Sequence, residues 1–510
     1  MKREITLTTF LILIIFSLLY LISMRLWFRI DMTENNAFTL SMLSRNIYRE
    51  IDDRVTITYF VSDRLNASFP VVNDIEDLIR EFAAHSNGSI HFSRKDPAES
   101  NLERIVENLG IIPWQIQVVE PNQITHATVY SGILLEYLDR EEVIPIILSL
   151  DTLEFDIYFR IRTLIRNSNR IIGIMLGNSD LDLYTDFSLL NHALVLSGFI
   201  PMLINPGVWI PPYLPALFVL GGEEYLDENS LRAIDEYIMS GGNVFFAING
   251  VSVDIWGSLE AFPVYDLGIL PMLANYGVIV ERAIVLDRAS LFLSYQTQGA
   301  SGTQVQTINY PPWVAVEDRG VNQSHILSSA SLGPDYFWPS PLELVPPYGI
   351  IAHALYISSP EAWLQRAEFI TNPNWVLQFE NERLHTLGTK ILSASLTGNF
   401  PSAFSEDLIF SEYSSRLLVS GDANFLGPLM QTTQSEDRNL DFAVRAALWL
   451  TGEDDLIALR VRDQRQGRLD RISDPGLRES LMAFSRNLNT FIIPIAIIIC
   501  GIFVCRRRSK

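Results

Sequence analysis

The residues of this chain best placed to meet a ligand are amides, carboxylates and glycines that follow short apolar runs. Gly177-Asn178-Ser179-Asp180-Leu181-Asp182 follows such a run at 170–176, and Gly221-Gly222-Glu223-Glu224 follows another at 216–220. Asn249-Gly250 comes after a third run at 243–248, and Gly421-Asp422 after a fourth at 416–420. In open α/β sheets, ligands bind in crevices outside the carboxyl ends of the strands. Gly177, Asn178, Asp180, Gly221, Gly222, Glu223, Asn249 and Asp422 are therefore the candidate ligand or partner crevice. Plainer readings stand beside this one. Asp180 and its neighbours either hold a cation or cap a helix, and the Gly221-Gly222 pair is equally a tight turn.

Other chemistries are missing. A nucleotide-hydrolysing P-loop needs Gly-Lys followed by Ser or Thr, because the lysine holds the β/γ-phosphates. No Gly-Lys pair occurs, and Gly388-Thr389-Lys390-Ile391 has the wrong order. The seven histidines are scattered at 85, 91, 126, 192, 325, 353 and 385, without zinc-ligand spacing. A Gly-x-Ser-x-Gly elbow is absent; Gly250-Val251-Ser252 comes nearest and ends in Val253-Asp254. No catalytic residue, metal site or cofactor is expected.

Composition bounds the setting of these groups. The 510 residues include 38 basic and 59 acidic side chains, a formal charge of −21, which argues against a nucleic-acid partner. Only four of the basic residues are lysines: Lys2, Lys95, Lys390 and Lys510. Residues 5–24 carry no charge and reach about 30 Å as a helix, the thickness of a bilayer core. A second apolar span at 488–505 precedes Arg506, Arg507, Arg508 and Lys510, a basic tail that belongs on the cytoplasmic side. Two spans put both termini in the cytoplasm and the bulk of the chain outside it. Both cysteines, Cys500 and Cys505, fall in the second span, so the exported part uses neither disulfides nor a thiol nucleophile. That pattern suits a bacterial cytoplasmic (inner) membrane protein.

Between the spans, the elements that must position the candidate residues alternate in type. The stretch 31–150 reads as an N-terminal α/β domain. Its strands are at 54–62, 89–94, 115–119, 128–137 and 143–148. One helix starts near Asn73, with Glu76 as a capping-box partner and an apolar face of Ile75, Leu78, Ile79 and Phe82; a second uses Leu102, Ile105, Val106 and Leu109. A connecting helix occupies 151–168. Strands at 170–176, 199–205, 216–220 and 243–248 then alternate with helices at 186–197 and 227–239, the pattern of a parallel, doubly wound sheet. This second α/β domain spans 169–289. The pattern degrades over 290–410, read as a β-rich insertion, and returns over 411–462 with strand 416–420, helix 439–450 and strand 456–461. Residues 463–487 form a charged juxtamembrane segment, and 506–510 the basic tail. The aromatic stretches 310–313 and 336–338 are either partner anchors or the insertion's own small core.

The segment Asp31-Met32-Thr33-Glu34-Asn35, with Phe38-Thr39-Leu40-Ser41 just after the first span, resembles the opening of GldG-like proteins. These are membrane-anchored auxiliary components of ABC transport systems, first associated with gliding motility. The likeness continues at 55–60, Asp77-Leu78-Ile79, Asp96-Pro97, 217–222, 231–242 and Tyr276-Gly277. Further on, Val285-Leu286-Asp287, Asn309-Tyr310-Pro311, Gly398-Asn399-Phe400, 418–422 and Trp449-Leu450-Thr451-Gly452 also fit. The resemblance covers nearly the whole chain. It implies a flavodoxin-like or amidotransferase-like domain outside the membrane, serving a separate ABC permease subunit and a separate ABC ATPase subunit, and it carries no catalytic residues. Where amidotransferase-like enzymes place a cysteine, this chain has Phe246-Ala247-Ile248-Asn249-Gly250. Where relatives carry a Gly-His-Gly-Glu-like turn, it has Gly177-Asn178-Ser179-Asp180.

The leading expectation is a non-catalytic, two-pass extracytoplasmic subunit that contacts membrane lipid, the permease and the ATPase. An envelope hydrolase using Asp180, Glu223 or Asp422, and a cell-envelope or motility scaffold, are the alternatives.

Overall fold

Seven residues rich in β-branched and aromatic side chains, Val55–Val61, form the centre of a four-stranded sheet. Ile90–Lys95 pairs with this strand in parallel, Ser131–Tyr137 antiparallel, and Arg140–Ile144 completes the far edge. These coordinates belong to a computed structural model that describes residues 40–464, except 70, 99–101, 121–122, 151, 167–169, 300–301 and 381–382. The two expected membrane spans lie outside the described residues. Among the described residues, no helix is long and apolar enough to cross a membrane. Residues 42–464 form one compact unit.

The helix Val71–His85 buries Val72, Ile75, Leu78, Ile79 and Phe82, the face that the i, i+3, i+4, i+7 spacing predicts. The expected capping box does not form. The helix starts before Asn73, and Glu76 instead takes Arg80 at 2.5 Å and Arg94 at 3.4 Å. The strand expected at 128–137 is two strands. Gln123–Val129 folds back on Trp114–Glu120 as a separate hairpin, and Ser131–Tyr137 enters the four-stranded sheet. Pairing of the last strand stops at Ile144, short of the expected 148, because Pro145 has no N–H to offer the ladder.

A nine-stranded sheet forms most of the rest of the unit, beside separate two- and three-stranded sheets. One half is parallel, in the spatial order Ile200–Leu203, Ile171–Leu176, Ala216–Leu220, Val244–Ala247, Ser415–Ser420. Ala216–Leu220 and Val244–Ala247 are buried at every position, as expected of strands covered on both faces. The helix Glu228–Met239 between them is capped by Asp227, whose side chain accepts from the Ser230 N–H at 2.9 Å. The other half is antiparallel and drawn largely from the 290–410 stretch. Ile391–Gly398 pairs with Ser415–Ser420; Ile351–Ile357 and Leu342–Leu344 both pair with Ile391–Gly398, and Val278–Val280 pairs with Leu342–Leu344 at the edge.

The expected strand at 456–461 is instead part of the helix Asp454–Gln464. Asp454 and Asp455 occupy its first turn, where a helix favours negative charge. Its buried residues, Leu456, Ile457 and Leu459, do not alternate as a half-buried strand requires. Arg416 grips Asp454 with two nitrogens, at 2.6 and 2.9 Å, tying this helix to the sheet. The aromatic stretches resolve as core. Tyr310, Trp313, Phe337 and Trp338 meet edge-on with centroids 5.3–6.2 Å apart, and the Trp338 indole donates to the Tyr310 hydroxyl at 3.0 Å.

Candidate functional site

The parallel strand order reverses between Ile171–Leu176 and Ala216–Leu220: the chain leaves the first toward Ile200–Leu203 and returns on its other side. Such a switch point opens a crevice, since the loops after the two strands diverge to opposite faces. Here the strand ends are joined by Gly177 N–H donating to Leu220 O at 2.8 Å and Gly221 N–H donating to Ala247 O at 2.8 Å. Any Cβ at Gly177 would collide with the backbone of Gly221 and Gly222. Gly221 and Gly222 themselves take φ of +76° and +114°, in the left-handed region that favours glycine. The three glycines thus let two strand ends close on each other.

Above this junction lies a crevice of about 380 Å³, with Gly177, Asn178, Gly221, Gly222, Glu223 and Asn249 in its wall. Six of the eight candidate residues are therefore brought together. Asp180 is exposed beside the crevice; its N–H donates to Asn178 Oδ1 at 3.0 Å, forming a local turn. Asp182 accepts from the N–H groups of Tyr184 and Thr185 at 2.9 and 3.0 Å, so this acidic run organises the loop before the helix Ser188–Leu196.

Asp422 is fully buried beneath the crevice and outside its lining. Its oxygens accept from the N–H groups of Phe337 and Asn424, both at 2.6 Å. Burial outweighs these bonds and pushes its carboxyl up to about 7. Glu223 is also buried, at 6% exposure, but lines the crevice. Its Oε1 accepts from the Asn249 N–H, and desolvation pushes the carboxyl up to about 7, with Glu224 and Asp266 adding repulsion. The Asn249 side chain accepts from the Ala423 N–H at 2.9 Å, linking a third strand end to a fourth.

Several lining residues carry no periodic signal in the sequence. Trp256 stands at the tip of a tight hairpin, Val251–Val253 against Ala261–Pro263, and is 76% exposed. The hairpin is held by Asp254, whose side chain accepts from the Ser258 N–H at 2.8 Å and whose N–H donates to Glu260 O at 2.9 Å. Tyr225, Phe187, Asp186 and Glu224 also line the crevice. Three-residue strands are too short for alternation to reveal, so only an isolated Trp in a polar loop marked the place. Ser252 is in the wall, but no His, Lys or Cys accompanies it to activate its hydroxyl.

The fold also pairs two histidines that sequence spacing separates. The rings of His325 and His353 lie 5.4 Å apart, and His325 Nε2 is 3.2 Å from Ser395 Oγ. Burial, then His353, pushes His325 down to about 4. Among the described residues, no group of three or more His, Cys, Asp or Glu is arranged to hold a metal ion.

Residues 170–446, which include the whole crevice, match the family described as an ABC-type uncharacterized transport system, and this chain belongs to that family of ABC transport auxiliary proteins. Residues 34–136 match a second family, described as a domain of unknown function (DUF7088). An uncharacterized protein of Borreliella burgdorferi is 24% identical, with 100% of this chain and 99% of the relative covered.

Proposed function

We propose that this chain is a non-catalytic, membrane-anchored auxiliary subunit of GldG-like type. It presents its sheet and crevice outside the cytoplasm of a bacterial cell and works with a separate permease and a separate ATPase. The observation that carries this reading is the family match over 170–446, which takes in the whole switch-point crevice. The strand order supports a flavodoxin-like description of the parallel half. Numbered by chain position it runs 2-1-3-4-5, with the crevice at its switch point. In this reading the apolar segments 5–24 and 488–505 anchor both ends in the bilayer, with both termini cytoplasmic. The partner ATPase then supplies the P-loop that this chain lacks.

The test is a mild-detergent pull-down of the tagged full-length chain from its native membrane, read by mass spectrometry. An ABC ATPase and a multi-span permease should come along in fixed proportion. Recovery of envelope or motility proteins without them would replace the transport reading with a scaffold.

A further inference from the structure

The crevice wall has one sign of charge. Asp186, Glu223 and Glu224 line it, and no Lys, Arg or His does. The neutral polar groups lining it are Asn178, Tyr225, Asn249, Ser252 and Asn424, and the lining also includes the exposed Trp256. A phosphate or carboxylate entering here would meet three carboxyl groups and no cation, so the chemistry excludes anionic ligands. A buried carboxyl beside an aromatic rim is instead complementary to a cation, which gains from the ring face and from charge pairing in a partly desolvated wall.

We infer that the crevice binds a small ligand bearing a protonated amine, with Glu223 as its ionic partner at the base and Trp256 over the ligand at the mouth. The inference deepens the auxiliary-subunit reading and rests on it for the role of the bound ligand. Glu223 is suited to the task by its position. The Asn249 N–H holds one of its oxygens, fixing the side chain at the junction of the strand ends. The charged groups that act on Glu223 are both acidic, Glu224 and Asp266, and Asp186 is a further carboxyl in the crevice wall. An ammonium group would relieve that repulsion, and binding would draw a proton off Glu223. Affinity should therefore rise with pH through about 7.

The experiment is calorimetric titration of the full-length protein with cadaverine and with its uncharged isostere 1,5-pentanediol. Maltose and inorganic phosphate serve as probes of other chemistry. Cadaverine should bind at least tenfold more tightly than pentanediol, and severalfold more tightly at pH 8 than at pH 6. Glu223→Gln, which keeps an acceptor for the Asn249 N–H, should cost tenfold or more. Trp256→Ala, on an exposed tip where the fold is not at stake, should cost severalfold. Equal or tighter binding of pentanediol, maltose or phosphate would overturn the inference. So would cadaverine binding that is unchanged in both variants, or the absence of binding by every probe. Failure here is separable from failure of the subunit reading, because Glu223→Gln protein that still recovers the permease and ATPase leaves that reading standing.

Discussion

Asp422→Asn tests whether the sealed end of the sheet stores a charge at neutral pH. Asp422 has no solvent exposure, and its carboxyl is pushed from 3.8 to about 7 by burial. A carboxyl raised in the folded state favours folding while protonated. Its contribution is complete below about pH 4 and is lost as pH rises toward 7. Each pH unit in that window corresponds to about 1.4 kcal/mol, so between pH 5 and pH 8 this one group should lower stability by about 3 kcal/mol. Asparagine removes the titration but brings its own cost. The Phe337 and Asn424 N–H groups point at different oxygens of the carboxyl, with the Phe425 N–H and the Asn424 side chain beside them, and an amide has one accepting oxygen. One donor is left unpaired, at about 1–3 kcal/mol. The variant should therefore be less stable than the parent at pH 5 and equal to it or more stable at pH 8. The assay is urea denaturation of the full-length chain followed by tryptophan fluorescence, at pH 5, 6, 7 and 8. Glu223 titrates in the same direction in both proteins and cancels from the difference. A difference between variant and parent that stays constant from pH 5 to 8 would refute the reasoning.

Gly177→Ala should destabilise by about 1–3 kcal/mol or more, because its methyl group meets the backbone of Gly221 and Gly222, which cannot swing aside; thermal melting checks this. Asp441→Asn should cost about 3–5 kcal/mol, because it removes the negative charge faced by the fully buried Arg445, its Nε 2.6 Å away, and by Arg460 at 2.8 Å. An Asp441→Leu/Arg445→Met double variant should recover much of that loss in the same melts. His325 acts with the opposite sign to Asp422. Its folded value, about 4, lies below the ordinary 6.5, so its contribution is complete above about pH 6.5 and is lost as pH falls toward 4. His325→Asn should flatten the acid limb of the stability profile, and an unchanged acid limb would show that His325 is not its source.

The parallel half of the large sheet was legible because each of its strands is a short apolar run closed by Gly, Asn or Asp. The runs at 170–176, 216–220, 243–248 and 416–420 became Ile171–Leu176, Ala216–Leu220, Val244–Ala247 and Ser415–Ser420. Six candidate residues met at one crevice because carboxyl ends of parallel strands share one edge. What covers each strand end was not legible. Glu223 and Asp422 occupy similar positions after strands, yet one opens on the crevice and the other is roofed by the Asp335–Phe337 strand. That roof arrives from 85 residues away in sequence, and no local pattern announces it. The helix Asp454–Gln464 differs from the strand that local sequence suggests for a related reason. Leu456, Ile457, Leu459 and Val461 give the short apolar run of a buried strand, while the ion pair that ties the segment to the sheet, Arg416 with Asp454, is long-range.

The distribution of arginine explains how a chain with so few lysines arrives at an acidic crevice. Partly buried guanidinium groups are spent on joining elements: Arg160 to Glu142 at 2.6 Å, Arg162 to Glu453 at 2.7 Å, Arg416 to Asp454 at 2.6 Å and Arg438 to Asp335 at 2.6 Å. Arginine suits these places because its planar fork meets a carboxylate through two nitrogens and resists deprotonation when desolvated. Each such pair removes one positive charge from the pool that could face a ligand. With acids in excess by 21 over the whole chain, the unpaired remainder is negative. The crevice, walled by three carboxyl groups and no base, is where that remainder meets a concave surface able to focus it. A ligand carrying negative charge would be turned away before any specific contact formed. Added salt should therefore weaken cadaverine binding while leaving any uptake of 1,5-pentanediol unchanged, and equal salt dependence of the two would show that charge does not select the ligand.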